Sequence, residues 1–175
     1  MADENRDPKW QSKVVADLKS ITPQQVWPLF EDFCNFHKWL PTIDTCRHVE
    51  GVYGQPGLVR YCASTLPSPP SNGGDQSTPT TVVKWCHEKL LSIDPVQRSL
   101  RYEIAENNLG FTFYVGELKV MELNGEDDAG RCRIEWSFVC DPIEGWRLED
   151  FSGYMRSSLE AMANRIEKEV QVVTN

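Results

Sequence analysis

Charged side chains on the apolar face of a strand are rare, because a charge taken out of water is costly unless it is paired. Two segments of this 175-residue chain carry charges at positions that could fall on such a face. In 58–64 the alternation groups Arg60 with Leu58, Cys62 and Ser64. In 82–93 it groups Glu88 with Val82, Lys84, Cys86 and Leu90. The opposite parity (Val59, Tyr61 and Ala63, or Val83 and Trp85) claims the core equally well, so the pattern leaves two arrangements open. Facing out, the two charges form a cross-strand ion pair worth under about 1 kcal/mol. Facing in, they form a desolvated carboxylate beside a guanidinium, which suits polar-ligand binding or proton transfer.

Other chemistries find little support. His37, His48 and His87 have neither metal-ligand spacing nor local cysteine partners, so no metal site is expected. Walker, G-x-G-x-x-G and G-x-S-x-G patterns are missing. The six cysteines, at 34, 46, 62, 86, 132 and 140, are scattered through periodic segments without a C-x-x-C pair. Residues 1–9 are rich in charge and contain no secretory apolar region, and no apolar run approaches membrane length. Free thiols, a cytoplasmic location and no stable membrane insertion are therefore expected. A net charge of −8 and a pI near 4.9 argue against nucleic acid as a partner. The Glu126-Asp127-Asp128 run reads as a solvated turn.

The charges need elements to hold them. The strongest periodicity lies in 148–173, where Leu148, Phe151, Met155, Leu159, Met162, Ile166, Val170 and Val173 recur in steps of three or four. That is one face of a long helix, with Arg156, Glu160 and Lys168 on the other. Near the other end, 10–20 alternates as a strand. Thr22-Pro23 with Gln25 is a capping-box start to a short helix carrying Val26, Leu29, Phe30 and Phe33, and a further helical turn or two in 35–40 stops at Pro41. Strand patterns follow at 46–50, 58–64, 82–93, 99–106, 111–123 and 131–140. Turn signals at Asp94-Pro95, Asn107-Asn108 and Asn124-Gly125 make them an antiparallel meander. Cys132, Ile134, Trp136, Phe138 and Cys140 share one face of the last strand, which marks a sheet buried on one side. Residues 65–80, rich in proline, serine and glycine, read as a long mobile loop, either a plain insertion or a lid.

This order predicts one α+β domain over 1–175, with 1–9 flexible and a C-terminal helix in 146–173. It resembles the helix-grip fold of the START/birch-pollen-allergen superfamily: a curved antiparallel sheet of six or seven strands around a long final helix, with two short helices between the first two strands. Particular blocks narrow the resemblance. Lys9-Trp10-Gln11-Ser12-Lys13-Val14, Val59-Arg60-Tyr61, Glu88-Lys89-Leu90, Glu135-Trp136-Ser137-Phe138 and Ile143-Glu144-Gly145 are similar to segments of the plant lachrymatory-factor synthases, in the same order. That family rearranges an alkenyl sulfenic acid to a thial S-oxide without a cofactor. The resemblance implies that Arg60 and Glu88 face a cavity as catalytic residues together with Tyr114, and that Tyr102 and Trp136 lie on its strands. Met155, Leu159 and Met162 of the long helix are expected to form its floor. The segment 65–80 is longer than the synthase loop, and 109–113 is less polar than its synthase counterpart.

The abscisic-acid receptors of the same superfamily offer a second comparison. Ser64-Thr65-Leu66-Pro67 is similar to their gate loop, which places Leu66 among the expected ligand contacts. Their ligand-pairing lysine, however, would fall near Thr45-Cys46, where none stands. Their latch, at Asn108-Leu109-Gly110-Phe111, lacks its histidine or arginine. Hormone reception is set aside. A small hydrophobic or amphipathic molecule is the expected partner, bound either with turnover or as cargo, and no protein partner is indicated.

Overall fold

The computed structural model describes residues 8–68, 80–125 and 130–172. Alternation is the rule that builds it. Along Cys132–Cys140 every second side chain is buried, from Cys132 through Ile134, Trp136 and Phe138 to Cys140. Tyr114–Glu122 repeats the pattern with Tyr114, Gly116, Leu118 and Val120. Strands patterned in this way need a cover on one face only.

Seven strands form one antiparallel sheet: β1 (Trp10–Leu18), β2 (Thr45–Glu50), β3 (Val59–Pro67), β4 (Thr81–Asp94), β5 (Ser99–Asn107), β6 (Tyr114–Glu122) and β7 (Cys132–Cys140). Their spatial order is β1-β7-β6-β5-β4-β3-β2, so β2 to β7 run as a meander and the first strand closes onto the last. The helix α1 (Pro23–Glu31) and a 3-10 helix (Phe33–Lys38) connect β1 to β2. The long C-terminal helix α2 (Leu148–Val172) completes the chain.

Local sequence explains the short helices. The Gln25 side chain accepts the Thr22 backbone N–H at 3.0 Å, and Pro23 sits at the first helical position. Val26, Trp27 and Phe30 are buried, while Pro28 faces solvent and α1 ends soon after it. The 3-10 segment begins at Phe33 rather than Asn35 and kinks at Asn35, and the rings of Phe33 and Phe36 meet edge to face at 6.2 Å. On α2, Phe151, Met155, Leu159, Met162 and Ile166 are buried in the common core with the inward faces of β6 and β7.

The expected loop at 65–80 needs correction at its start. Thr65, Leu66 and Pro67 belong to β3 and pair with Val83, Val82 and Thr81 of β4. The hairpin arms therefore run on past the turn-like composition, because β4 supplies a partner for each residue and Pro67 falls at the strand end, where its missing N–H matters least. The remainder, 69–79, lies outside the described residues, as do residues 1–7 and the acidic run at 126–128. At the amino-terminal edge Lys9 is ion-paired with Asp141 at 2.8 Å.

Candidate functional site

The register decides the parity that the sequence left open. Arg60 on β3 stands directly opposite Glu88 on β4, and both line a cavity between the inner face of the sheet, the 3-10 helix and the first half of α2. Arg60 is only 4% exposed. Its Nε donates to Glu88 Oε2 at 2.7 Å, and a second guanidinium nitrogen lies 2.5 Å from the same oxygen. A third nitrogen donates to the Phe33 carbonyl at 2.6 Å. The guanidinium also lies 3.8 Å and 4.2 Å from the ring centres of Phe33 and Phe36. Burial works against the Arg60 charge. Although burial is the largest single influence, the carboxylate of Glu88 and the sulfurs of Cys62 and Cys46 together outweigh it, and the guanidinium is pushed further toward its charged form.

Beside the pair stands a chain of polar aromatic groups. Trp136 Nε1 donates to the Tyr102 hydroxyl at 2.9 Å, and that hydroxyl is 3.5 Å from the hydroxyl of Tyr114. Burial pushes both phenols above their ordinary range, so they act as neutral hydrogen-bonding groups. Tyr102 can lie where it does because it pairs with Gly116, over whose Cα its ring sits; a Cβ there would come within 2.5 Å of the ring.

The cavity measures about 670 Å³, within the roughly 300–1,000 Å³ typical of small-ligand sites. Of the residues singled out from the sequence, Arg60, Glu88, Tyr114, Tyr102, Trp136, Leu66 and Met155 all line it. Tyr114 is separated from the charged pair by Tyr102, whose ring centre is 5.8 Å from the guanidinium. Leu66 is 48% exposed and sits at the rim, as do Trp146 and Tyr154, whose rings meet edge to face at 6.0 Å. Leu159 and Met162 are the exceptions. Both are buried in the core and do not line the cavity. Ser158, the neighbour of Leu159, does, with a hydroxyl that has no hydrogen-bond partner among the described residues. The helical stripe identified the apolar face of α2 but not which part of it meets the void.

Several residues of the site escaped the sequence reading. Phe33 and Phe36, which hold the guanidinium, were visible only as apolar periodicity; their spacing of three was the usable signal. Cys62 and Cys86 also line the cavity, and their shared parity with Arg60 and Glu88 was the clue. Among the described residues no group of three histidine, cysteine or acidic side chains is arranged to hold a metal ion. No helix of the described residues is long and apolar enough to cross a membrane.

A sheet folded against one long C-terminal helix, with a lined cavity between them, defines the helix-grip class of ligand-pocket proteins. The sequence agrees. Residues 9–171 match the family described as polyketide cyclase/dehydrase and lipid transport, and the chain belongs to that family. Similar solved structures include the protein XoxI from Bacillus cereus, with a TM-score of 0.66 at 18% identity over 95% of this chain and 99% of that one. A putative uncharacterised protein from Bacillus thuringiensis gives 0.64 at 19% identity, over 89% and 98% of the two chains. Ginseng major latex-like protein 151 from Panax ginseng gives 0.63 at 19% identity, over 91% and 97%. At these identities the likeness is one of fold.

Proposed function

We propose that the cavity binds a small amphipathic molecule and that Glu88 moves a proton on it, making the protein a cofactor-free acid–base isomerase. The observation that carries this reading is the one-sided commitment of the carboxylate. Both contacts from Arg60, and the 3.8 Å approach of the Cys62 thiol, fall on Oε2. Oε1 receives none of these contacts and is left for a ligand. Such a group is oriented by its neighbour yet keeps a lone pair for a proton in transit.

The lachrymatory-factor-synthase-like rearrangement fits this arrangement. Glu88 takes the proton of an alkenyl sulfenic acid S–OH and returns one to the far carbon of the C=C bond. As that carbon is protonated, the C=C π pair becomes the new C–H bond and a sulfur lone pair forms C=S; the positive charge on sulfur is balanced by the negative oxygen, so atoms and charge balance without a co-reactant. Arg60 provides positive charge beside the S–O end, and Tyr102 and Tyr114 add hydroxyl groups to that polar wall. The apolar chain of the substrate lies against Met155, Phe111 and Trp136.

The test is to generate the sulfenic acid in situ and measure thial S-oxide formation. Arg60→Leu and Glu88→Gln are each expected to abolish product while circular dichroism shows an intact fold. Full activity in either variant overturns the isomerase reading. Retention of a ligand, seen by native mass spectrometry, with no turnover by the wild-type protein would instead identify a carrier.

A further inference from the structure

A row of thiols crosses the sheet beside the charged pair. Cys46, Cys62 and Cys86 occupy opposed positions on β2, β3 and β4, and all three are buried and free. Cys62 and Cys86 line the cavity, whereas Cys46 lies behind Cys62, with the two sulfurs 3.6 Å apart. Directly opposed residues of an antiparallel pair have Cα atoms about 4.5–5.5 Å apart. A disulfide spans about 4.4–6.8 Å, so Cys46 and Cys62 can be joined without moving either strand. The sulfurs need only close from 3.6 Å to about 2.05 Å.

Small buried hydrophobes would explain cysteines in general, and Cys34, Cys132 and Cys140 fit that description. Burial pushes their thiols up to about 11, 12 and 11. Cys46 is different. The hydrogen bond from Cys62, followed by burial acting in the opposite sense and then the nearby charge of Arg60, leaves it lowered to about 6. Cys62 is raised in turn, chiefly through the same hydrogen bond and then through burial. The proton between the two sulfurs therefore rests on Cys62 and the negative charge on Cys46, near a guanidinium. When that proton moves to Cys46, the thiolate is on Cys62, at the cavity wall.

We propose that Cys62 and Cys46 form a peroxide-reducing dithiol whose substrate is an apolar hydroperoxide lodged in the cavity. The Cys62 thiolate attacks the terminal peroxide oxygen. An S–O bond forms as the O–O bond breaks, and the departing alkoxide, beside Arg60, takes a proton and leaves as the alcohol. Cys62 is now a sulfenic acid. The sulfur of Cys46 then attacks that of Cys62; the S–S bond forms, the S–O bond breaks and the hydroxyl leaves as water. Overall, two thiols and one hydroperoxide give a disulfide, an alcohol and one water, with sulfur oxidised and oxygen reduced. The apolar walls favour a hydroperoxide with a hydrocarbon body, and Arg60 is the group that steadies the leaving oxygen. This activity is independent of any proton transfer by Glu88.

The test exposes the folded, fully reduced chain to one equivalent of cumene hydroperoxide, followed by non-reducing peptide mapping. The expected product links the tryptic peptide ending at Arg47 to the one ending at Lys84. Cys132→Ser, outside the cavity, should form the same link at the wild-type rate. Cys46→Ser should stop at the Cys62 sulfenic acid, trapped as a dimedone adduct. Hydrogen peroxide, which lacks an apolar body, should react about ten-fold more slowly. A link between Cys62 and Cys86, or oxidation without a link in the natively folded wild-type protein, overturns the dithiol. Equal rates with the two peroxides overturn the substrate class. The wild-type map needs no variant, so an unstable substitution cannot obscure the result.

Discussion

Arg60 is held by a carbonyl, a carboxylate and two aromatic rings, which fixes Glu88 as firmly as Glu88 fixes it. Removing either partner leaves the other charge buried and alone, at a cost of about 3–5 kcal/mol. The activity test with Arg60→Leu must therefore be read together with a denaturation curve. The aromatic chain has a cleaner probe. Gly116→Ala places a methyl group against the Tyr102 ring, which is buried at the cavity wall and must turn. A loss of about 1–3 kcal/mol is expected in urea unfolding, together with a change in the Trp136 fluorescence that reports its bond to Tyr102. The cysteine pair gives a pH signature with a definite sign. Cys46, lowered to about 6 from an ordinary 9.0, contributes stability that grows as pH rises from 6 to 9 and is lost as pH falls through 6. Cys62, raised above 9.0, contributes stability that is full below 9 and lost above it. The stability difference between wild type and Cys46→Ser, measured by urea unfolding at a series of pH values, should therefore peak near pH 9. A difference that stays flat from pH 6 to 9 would deny the proton between the two sulfurs. Glu88 and Arg60, the charges facing the pair, remain the same in both proteins.

At the scale of elements, α2 carries two kinds of buried residue that a hydrophobic stripe does not distinguish. Met155 faces the void, whereas Leu159, one turn further on, fills the core. Leu159→Ala should cost about 2–5 kcal/mol in denaturation and leave the range of bound ligands unchanged. Met155→Ala should cost less, because the atoms it removes bordered empty space, and should admit bulkier ligands in a binding series. The reverse pattern would mean that the cavity extends toward the far half of the helix. The same distinction explains what the sequence could convey. Helix and strands were evident because 3.6- and 2-residue periods are local. The facing of Arg60 and Glu88 was not, since parity gives two answers until the register opposes them. Leu159 was assigned to the pocket because a stripe records burial, not what the buried side chain touches. The end of β3 was placed too early because Pro67 reads as a loop residue unless its partner Thr81 is known.

For the whole molecule, the sheet and helix border about 670 Å³ that no side chain of the described residues fills, so a bound ligand completes the core. A ligand that binds only the folded state at 100 times its Kd adds about 2.7 kcal/mol. For a chain of this size that raises Tm by on the order of 5–10 °C. The charge distribution indicates which ligand gains more. The chain carries a net −8; among the described residues lining the cavity, Arg60 is already paired with Glu88 and the exposed Lys84 is matched in number by Asp44, so the polar end offers little unbalanced positive charge. A carboxylate entering there meets the field of Glu88 and of the acidic surface, whereas a neutral hydroxyl meets hydrogen-bonding partners in Tyr114 and Ser158 without that penalty. Decanol should therefore raise Tm more than decanoate at equal concentration, and the gap should narrow as salt screens the surface. If decanoate is the better stabiliser, the guanidinium must leave Glu88 to receive it, and the pair is then an anion clasp rather than a fixed acid–base unit.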